Sequence, residues 1–149
     1  MGFLLIIAFW FFIFKYVLGD SSKDIEYSQT VSSSDIDNMT GSQFEYFIAS
    51  LFKKMGYKTY VTKSSGDQGV DIIAQNNVFK IAIQTKCYHN RVGNKAIQEV
   101  TAGMRYYGCN KGMVITNSYF TNSAIELANA NDIELWDRHT LEEKIKRYN

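Results

Sequence analysis

Cysteine and histidine are both scarce here, two of each in 149 residues. A pair of cysteines is too few for a disulfide framework at this length, so Cys87 and Cys109 read as reduced thiols in a cytosolic setting. No zinc-ligand cluster, P-loop, GxSxG elbow or internal repeat is present. ATP use and acyl chemistry therefore lack support, and no nucleotide cofactor is expected. Net charge is only +1, but it is unevenly spread. Residues 39–149 hold fourteen Lys and Arg against ten Asp and Glu, whereas residues 19–38 hold five acids and one lysine. A modestly basic body suits a polyanionic partner without requiring one.

Basic residues are also missing ahead of Lys15, within a run (residues 2–18) that is otherwise apolar. A signal peptide would carry an early positive charge and a small-residue cleavage site. A buried core helix suits a shorter run, and this one stands at the terminus and is followed by a polar tether. Seventeen residues reach the lower edge of what spans a bilayer core, and a lysine near a helix end can snorkel to the headgroups. Residues 1–18 are expected to be a transmembrane anchor, with residues 2–18 in contact with the membrane. Lys15 and Lys23 put its C-terminal side in the cytoplasm, giving a single-pass protein of the cell membrane with a cytoplasmic C-terminal domain. Residues 19–38, rich in Ser and Asp without hydrophobic period, read as a flexible acidic linker, roughly 25 Å across as a coil.

Residues 39–149 read as one globular domain. Thr40 is placed to cap a helix running to residue 55, whose Phe44, Phe47, Ile48, Leu51, Phe52 and Met55 form one continuous stripe. Asn38-Met39-Thr40 matches a glycosylation triplet but reads as the polar approach to that helix, and Gly56 stops it. A strand is expected over 57–62, then a polar loop over 63–69. Two strands follow over 70–75 and 78–86, turning at Asn76-Asn77. Ile72, Ile73, Val78, Phe79, Ile81, Ala82 and Ile83 make them apolar nearly throughout, as in a central pair covered on both faces. Beyond a loop at 87–93 come a helix from 94 to about 107, a strand over 112–116 and a helix over 122–130. A strand over 133–136 and a last helix from about 140 to 147 complete the chain. Helices alternating with strands favour an α/β layer structure, with a partly parallel sheet covered on both faces.

Chemistry concentrates in Gly66-Asp67-Gln68-Gly69-Val70-Asp71 and in Gln84 and Lys86. Gln84 and Lys86, two apart on a strand, share a face, and pairing about Asn76-Asn77 brings Asp71 near their level. A carboxylate supported by a neighbouring main-chain carbonyl can hold Mg²⁺, while a lysine stabilises developing charge or orients a water. Metal-assisted phosphodiester hydrolysis needs that set. The spacing fits equally well a turn acid and two polar residues at a solvated strand end. Asp67 reads as turn-forming rather than as a second ligand, and Cys87 as packing or site wall rather than as a nucleophile. Tyr88, His89, Arg91 and Lys95 suit phosphate and sugar contacts, or equally an ordinary solvated loop. Glu45, at the margin of its helix's apolar stripe, can reach the sheet rim or serve as a first-turn acid.

The run Asp67-Gln68-Gly69-Val70-Asp71-Ile72-Ile73-Ala74, followed by Gln84-Thr85-Lys86-Cys87-Tyr88, resembles the core signature of the Mrr-like restriction endonucleases, within the wider PD-(D/E)xK nuclease fold. Phe44-Glu45, Gly56-Tyr57, the block from Val92 to Glu99, Val114-Ile115-Thr116-Asn117, Phe120-Thr121, Ala124 and Ala128 match in the same order. The resemblance implies a restriction-endonuclease-like three-layer domain over 39–149, with a central mixed sheet flanked by helices. It implies a Mg²⁺-dependent DNA endonuclease, with Mn²⁺ as a substitute. Asp71 and the Thr85 main-chain carbonyl would hold the metal, Glu45 would join them, and Gln84 and Lys86 would complete the catalytic set. Tyr88, His89, Arg91 and Lys95 would contact DNA. With glutamine where an acid could stand, metal binding should lean on DNA phosphate. Such enzymes commonly carry a separate recognition module, and here a membrane segment stands in that place, so specificity is left open. Cutting both strands would call for two sites, hence a homodimer or a transient pairing of two copies. A non-catalytic nucleic-acid-binding module and a membrane-bound interaction protein are the rival readings.

Overall fold

The computed structural model describes residues 32–62, 66 and 68–148. The expected anchor over 1–18, residues 19–31 of the expected linker, and Asp67 lie outside them. Among the described residues no helix is long and apolar enough to cross a membrane.

The elements run α1 (Ser33–Asp37), α2 (Gly41–Lys54), β1 (Lys58–Val61), β2 (Ile72–Gln75), β3 (Lys80–Lys86), α3 (Asn94–Tyr106), β4 (Lys111–Thr116), α4 (Asn122–Ala130), β5 (Ile133–Trp136) and α5 (Arg138–Tyr148). The five strands lie side by side in chain order. β1, β2 and β3 pair antiparallel, whereas β3, β4 and β5 pair parallel. The mixed sheet flanked by helices is the expected class. From β3 onward the chain always steps in one direction across the sheet, so right-handed crossovers put α3 and α4 on the same face. α2 and α5 cover the other.

Alternation along β3 separates two cores. Ile81 and Ile83 meet Phe44, Ile48, Phe52, Trp136 and Leu141 on the α2/α5 face. Ala82 meets Val70, Ile97, Val100, Val114 and Ala124 on the α3/α4 face. Each large side chain removed from water here contributes about 1.5–3 kcal/mol. Thr40 caps α2 as expected, accepting from the Gln43 amide at 3.3 Å while its own amide donates to Gln43 Oε1 at 2.8 Å.

Three expectations need correction. The last residues of the expected linker are folded: α1 spans Ser33–Asp37, and Ile36, 3% exposed, belongs to the α2/α5 core. One apolar side chain in a polar stretch has no period to reveal it. Val78 is not in a strand. It is 68% exposed, because Asn76 Oδ1 accepts from the amides of Val78 and Phe79 and prolongs the turn. The last helix begins at Arg138 rather than near 140, with Asp137 Oδ1 accepting from the Thr140 amide at 2.9 Å.

Candidate active site

The register pairs Ile72 with Ile83, so Asp71, one residue before β2, stands opposite Gln84. The Asp71 amide continues the ladder by donating to the Ile83 carbonyl at 2.9 Å. On the other side, Thr62 donates to the Asp71 carbonyl from its amide at 2.8 Å and from Oγ1 at 3.1 Å. The backbone at Asp71 is therefore gripped from both neighbouring strands.

The side chain is gripped as well. Asp71 Oδ2 accepts from Gln84 Nε2 at 2.8 Å, from the Thr85 amide at 2.6 Å and from Thr85 Oγ1 at 3.0 Å. Asp71, Gln84 and Thr85 are 8%, 4% and 7% exposed, so these bonds form away from bulk water. Gln84 Nε2 also faces the Thr85 carbonyl at 3.5 Å, while Gln84 Oε1 is buried without a hydrogen-bond partner. One donor thus faces two oxygens, and an acceptor beside it is orphaned. A half-turn of the amide would aim Oε1 at the same two oxygens, which is favourable only with a cation among them. Carboxylate, main-chain carbonyl and amide oxygen form the all-oxygen set that hard divalent cations take. The residues fit such an ion. Among the described residues no cluster of three or more His, Cys, Asp or Glu occurs.

Lys86 lies two residues past Gln84 on the same face and forms an ion pair with Glu99 of α3, Nζ to Oε2 at 3.2 Å. Glu99 also meets Lys95 at 3.7 Å. Glycine makes this possible. Gly69 has φ +76°, and a Cβ there would sit 2.7 Å from Glu99 Cβ. At Gly103 a Cβ would sit 2.4 Å from the Gln68 carbonyl oxygen. The turn leading into Asp71 therefore lies directly on α3, the helix that carries the partner of Lys86.

Glu45 is half-buried on α2, the helix of the opposite face from Gln84 and Lys86. Tyr88, His89, Arg91 and Lys95 are exposed beyond the end of β3. Arg91 is already engaged in part, donating from Nη1 to the Phe120 carbonyl at 3.0 Å. Cys87 donates to the carbonyls of Met39 and Ile36 at 3.4 and 3.7 Å. Burial and then the nearby Asp37 charge push its thiol pKa up, which fits a wall residue and not a nucleophile.

Two residues that the sequence showed only within matched blocks, with no role, prove to be parts of the site. Glu99 had a local signal in its i,i+4 spacing from Lys95, but its pairing with Lys86 depends on how α3 folds back beside the end of β3. Asn117, 4% exposed, accepts from the Tyr88 amide at 2.8 Å through Oδ1 and donates to Asp37 at 3.1 Å. Arg138 completes that network with bonds of 2.7 and 2.9 Å to the Asp37 carboxylate.

A five-stranded mixed sheet, with a carboxylate, an amide and a lysine gathered at the end of its central strands, places the domain in the restriction-endonuclease class of α/β folds. The chain belongs to the Mrr_cat restriction endonuclease family, which matches residues 36–145. Three solved structures share the fold. The DNA modification-dependent restriction endonuclease AspBHI aligns with TM-score 0.61 at 18% identity, over 77% of this chain and 34% of its own. The MspJI restriction endonuclease, in complex with a 27-mer oligonucleotide, aligns with TM-score 0.54 at 20% identity, over 78% and 34%. A protein of unknown function, AF1548, aligns with TM-score 0.54 at 20% identity, over 62% and 55%. The chain thus spans between a third and just over half the length of these proteins. No curated protein matches it.

Proposed function

We propose that this chain is a metal-dependent DNA endonuclease that hydrolyses phosphodiester bonds, held at the cell membrane by residues 2–18 with its folded domain in the cytoplasm. The observation that carries the reading is the buried Asp71–Gln84–Thr85 cluster with Lys86 on the same face. Family membership supports nuclease chemistry, and the oligonucleotide bound by MspJI supports DNA as the partner.

Asp71, the Thr85 carbonyl and Gln84 Oε1 would hold Mg²⁺, or Mn²⁺ in its place, with Glu45 joining from α2 directly or through water. The bound ion would polarise the scissile phosphate and lower the pKa of a water. With few charged ligands in the site, ion binding would strengthen when DNA contributes its phosphate. Lys86 presents Nζ to the attacking water or to a phosphate oxygen, and Glu99 sets its direction. Tyr88, His89, Arg91 and Lys95 meet the phosphates and sugars leading to the site. Cleavage of both strands would use two copies of the domain. The apolar run over 2–18 supports the tether.

The test is the full chain in mild detergent, incubated with supercoiled plasmid and Mg²⁺ or Mn²⁺, beside Asp71→Ala and Lys86→Ala. Nicking or linearisation by the parent, lost in both variants, is expected. Undiminished cutting by Asp71→Ala would reject the assignment. No cutting, with DNA bound equally by all three, would favour a binding module. For the tether, alkaline washing of membranes should leave the parent in the pellet and release a variant lacking residues 2–18.

A further inference from the structure

The loops that follow β3 and β4 are locked together where these parallel strands end. The Val92 amide donates to the Tyr119 carbonyl at 2.8 Å, and the Thr121 amide donates to the Val92 carbonyl at 3.0 Å. Arg91 and Asn117 add the side-chain ties already described. On this ledge stand two tyrosine rings whose backbones are pinned but whose side chains face solvent. Tyr88 is 50% exposed and Tyr119 45%. Each ring has a cation beside it: Lys86 Nζ lies 6.0 Å from the centre of Tyr88, and the Arg91 guanidinium 5.9 Å from that of Tyr119. Lys86 also belongs to the candidate active site, so the ledge adjoins that site.

We propose that Tyr88 and Tyr119 form a stacking platform for unpaired nucleotides, so that the preferred substrate is DNA with single-stranded character beside the cut. This rests on the nuclease reading above and narrows its substrate class. In an uninterrupted duplex the bases are stacked on one another, and a ring reaches only their edges or the sugars. An unstacked base offers its whole face to a ring held on rigid backbone, and neighbouring cations neutralise the strand that carries it. Phosphate binding alone would need the cations and no aromatic surface.

The experiment measures fluorescence anisotropy of the full chain in detergent, with EDTA to prevent cleavage. The probes are a labelled duplex and the same duplex interrupted by a short single-stranded gap. The parent should bind the gapped DNA more tightly. Tyr119→Ala should weaken gapped binding by about fivefold or more, and duplex binding by less than about twofold, as loss of one base stack implies. Tyr88→Ala should act in the same direction, and Tyr119→Phe should bind like the parent. Equal losses on both DNAs, or none on the gapped one, would overturn the platform, and plasmid cutting would show the nuclease reading still standing. Binding to neither DNA, without plasmid cleavage, would overturn both.

Discussion

Gln84→Glu places a second carboxylate where the amide now donates to Asp71 Oδ2 at 2.8 Å, with both residues less than a tenth exposed. Two routes bound the cost. If both carboxylates stay ionised about 4 Å apart, their repulsion at an effective dielectric constant near 20 is about 4 kcal/mol. If the new glutamate instead takes a proton at pH 7, the cost is that of raising its pKa by roughly 2.7 units, again about 4 kcal/mol. For a domain of this size each kcal/mol moves Tm by roughly 3–5 °C, so a fall of roughly 10–20 °C is expected. The pH dependence has a definite sign. A carboxyl whose folded pKa is raised does no harm below its unfolded value, about 4.3, and the penalty grows as pH rises from there towards neutrality. Mg²⁺ should act in the opposite direction, because the added charge makes a stronger cation site. An ion at a hundred times its Kd would return about 2.7 kcal/mol. Thermal unfolding of parent and variant across this pH range, with and without Mg²⁺, measures all of this. A Tm deficit that is flat with pH, or that Mg²⁺ leaves unchanged, would refute the placing of Gln84 at a cation site.

Other perturbations probe the supports. Gly103→Ala would put a methyl 2.4 Å from the Gln68 carbonyl and 2.5 Å from Val70 Cγ2. It should cost about 1–3 kcal/mol and reduce plasmid cleavage by shifting the turn into Asp71, and an unchanged Tm would rule out that close packing. Glu99→Gln removes the ion pair with Lys86 while keeping the shape of α3. Cleavage should slow by about ten- to a hundredfold from misplacement of the lysine, with Tm nearly unchanged, and an undiminished rate would show that Lys86 is oriented without it. The Arg138 guanidinium holds the Asp37 carboxyl below its ordinary value of 3.8. The pair therefore stabilises the fold above that pH and ceases to as pH falls through the lower folded value. Arg138→Ala should cost about 1 kcal/mol at neutral pH, because both side chains are roughly a third exposed, and the gap in Tm should close in strong acid.

Legibility followed the distance over which each signal acts. The stripe from Phe44 to Phe52 specified α2 because 3.6-residue periodicity is a local property, and it lies in the core as expected. The meeting of Asp71 with Gln84 was legible because a short turn joins their strands and leaves few registers open. The side-chain bonds of Asn76 were not, and they moved Val78 out of the strand.

The amino-acid sequence by itself determined the α/β class, the position of nearly every helix and strand, and the convergence of Asp71, Gln84 and Lys86. Each rests on periodicity, or on pairing across a short hairpin. Only the tertiary structure decided that Glu99 pairs with Lys86, that Asp37 reaches Arg138, and that the loops bearing Tyr88 and Tyr119 form one ledge. Asp37 and Arg138 are separated by most of the chain and the two loops by a crossover, while Lys86 and Glu99 lie on a strand and the helix that folds back beside it. They meet because right-handed connections and close glycine contacts choose which face each helix covers, and no local pattern of residues encodes that choice.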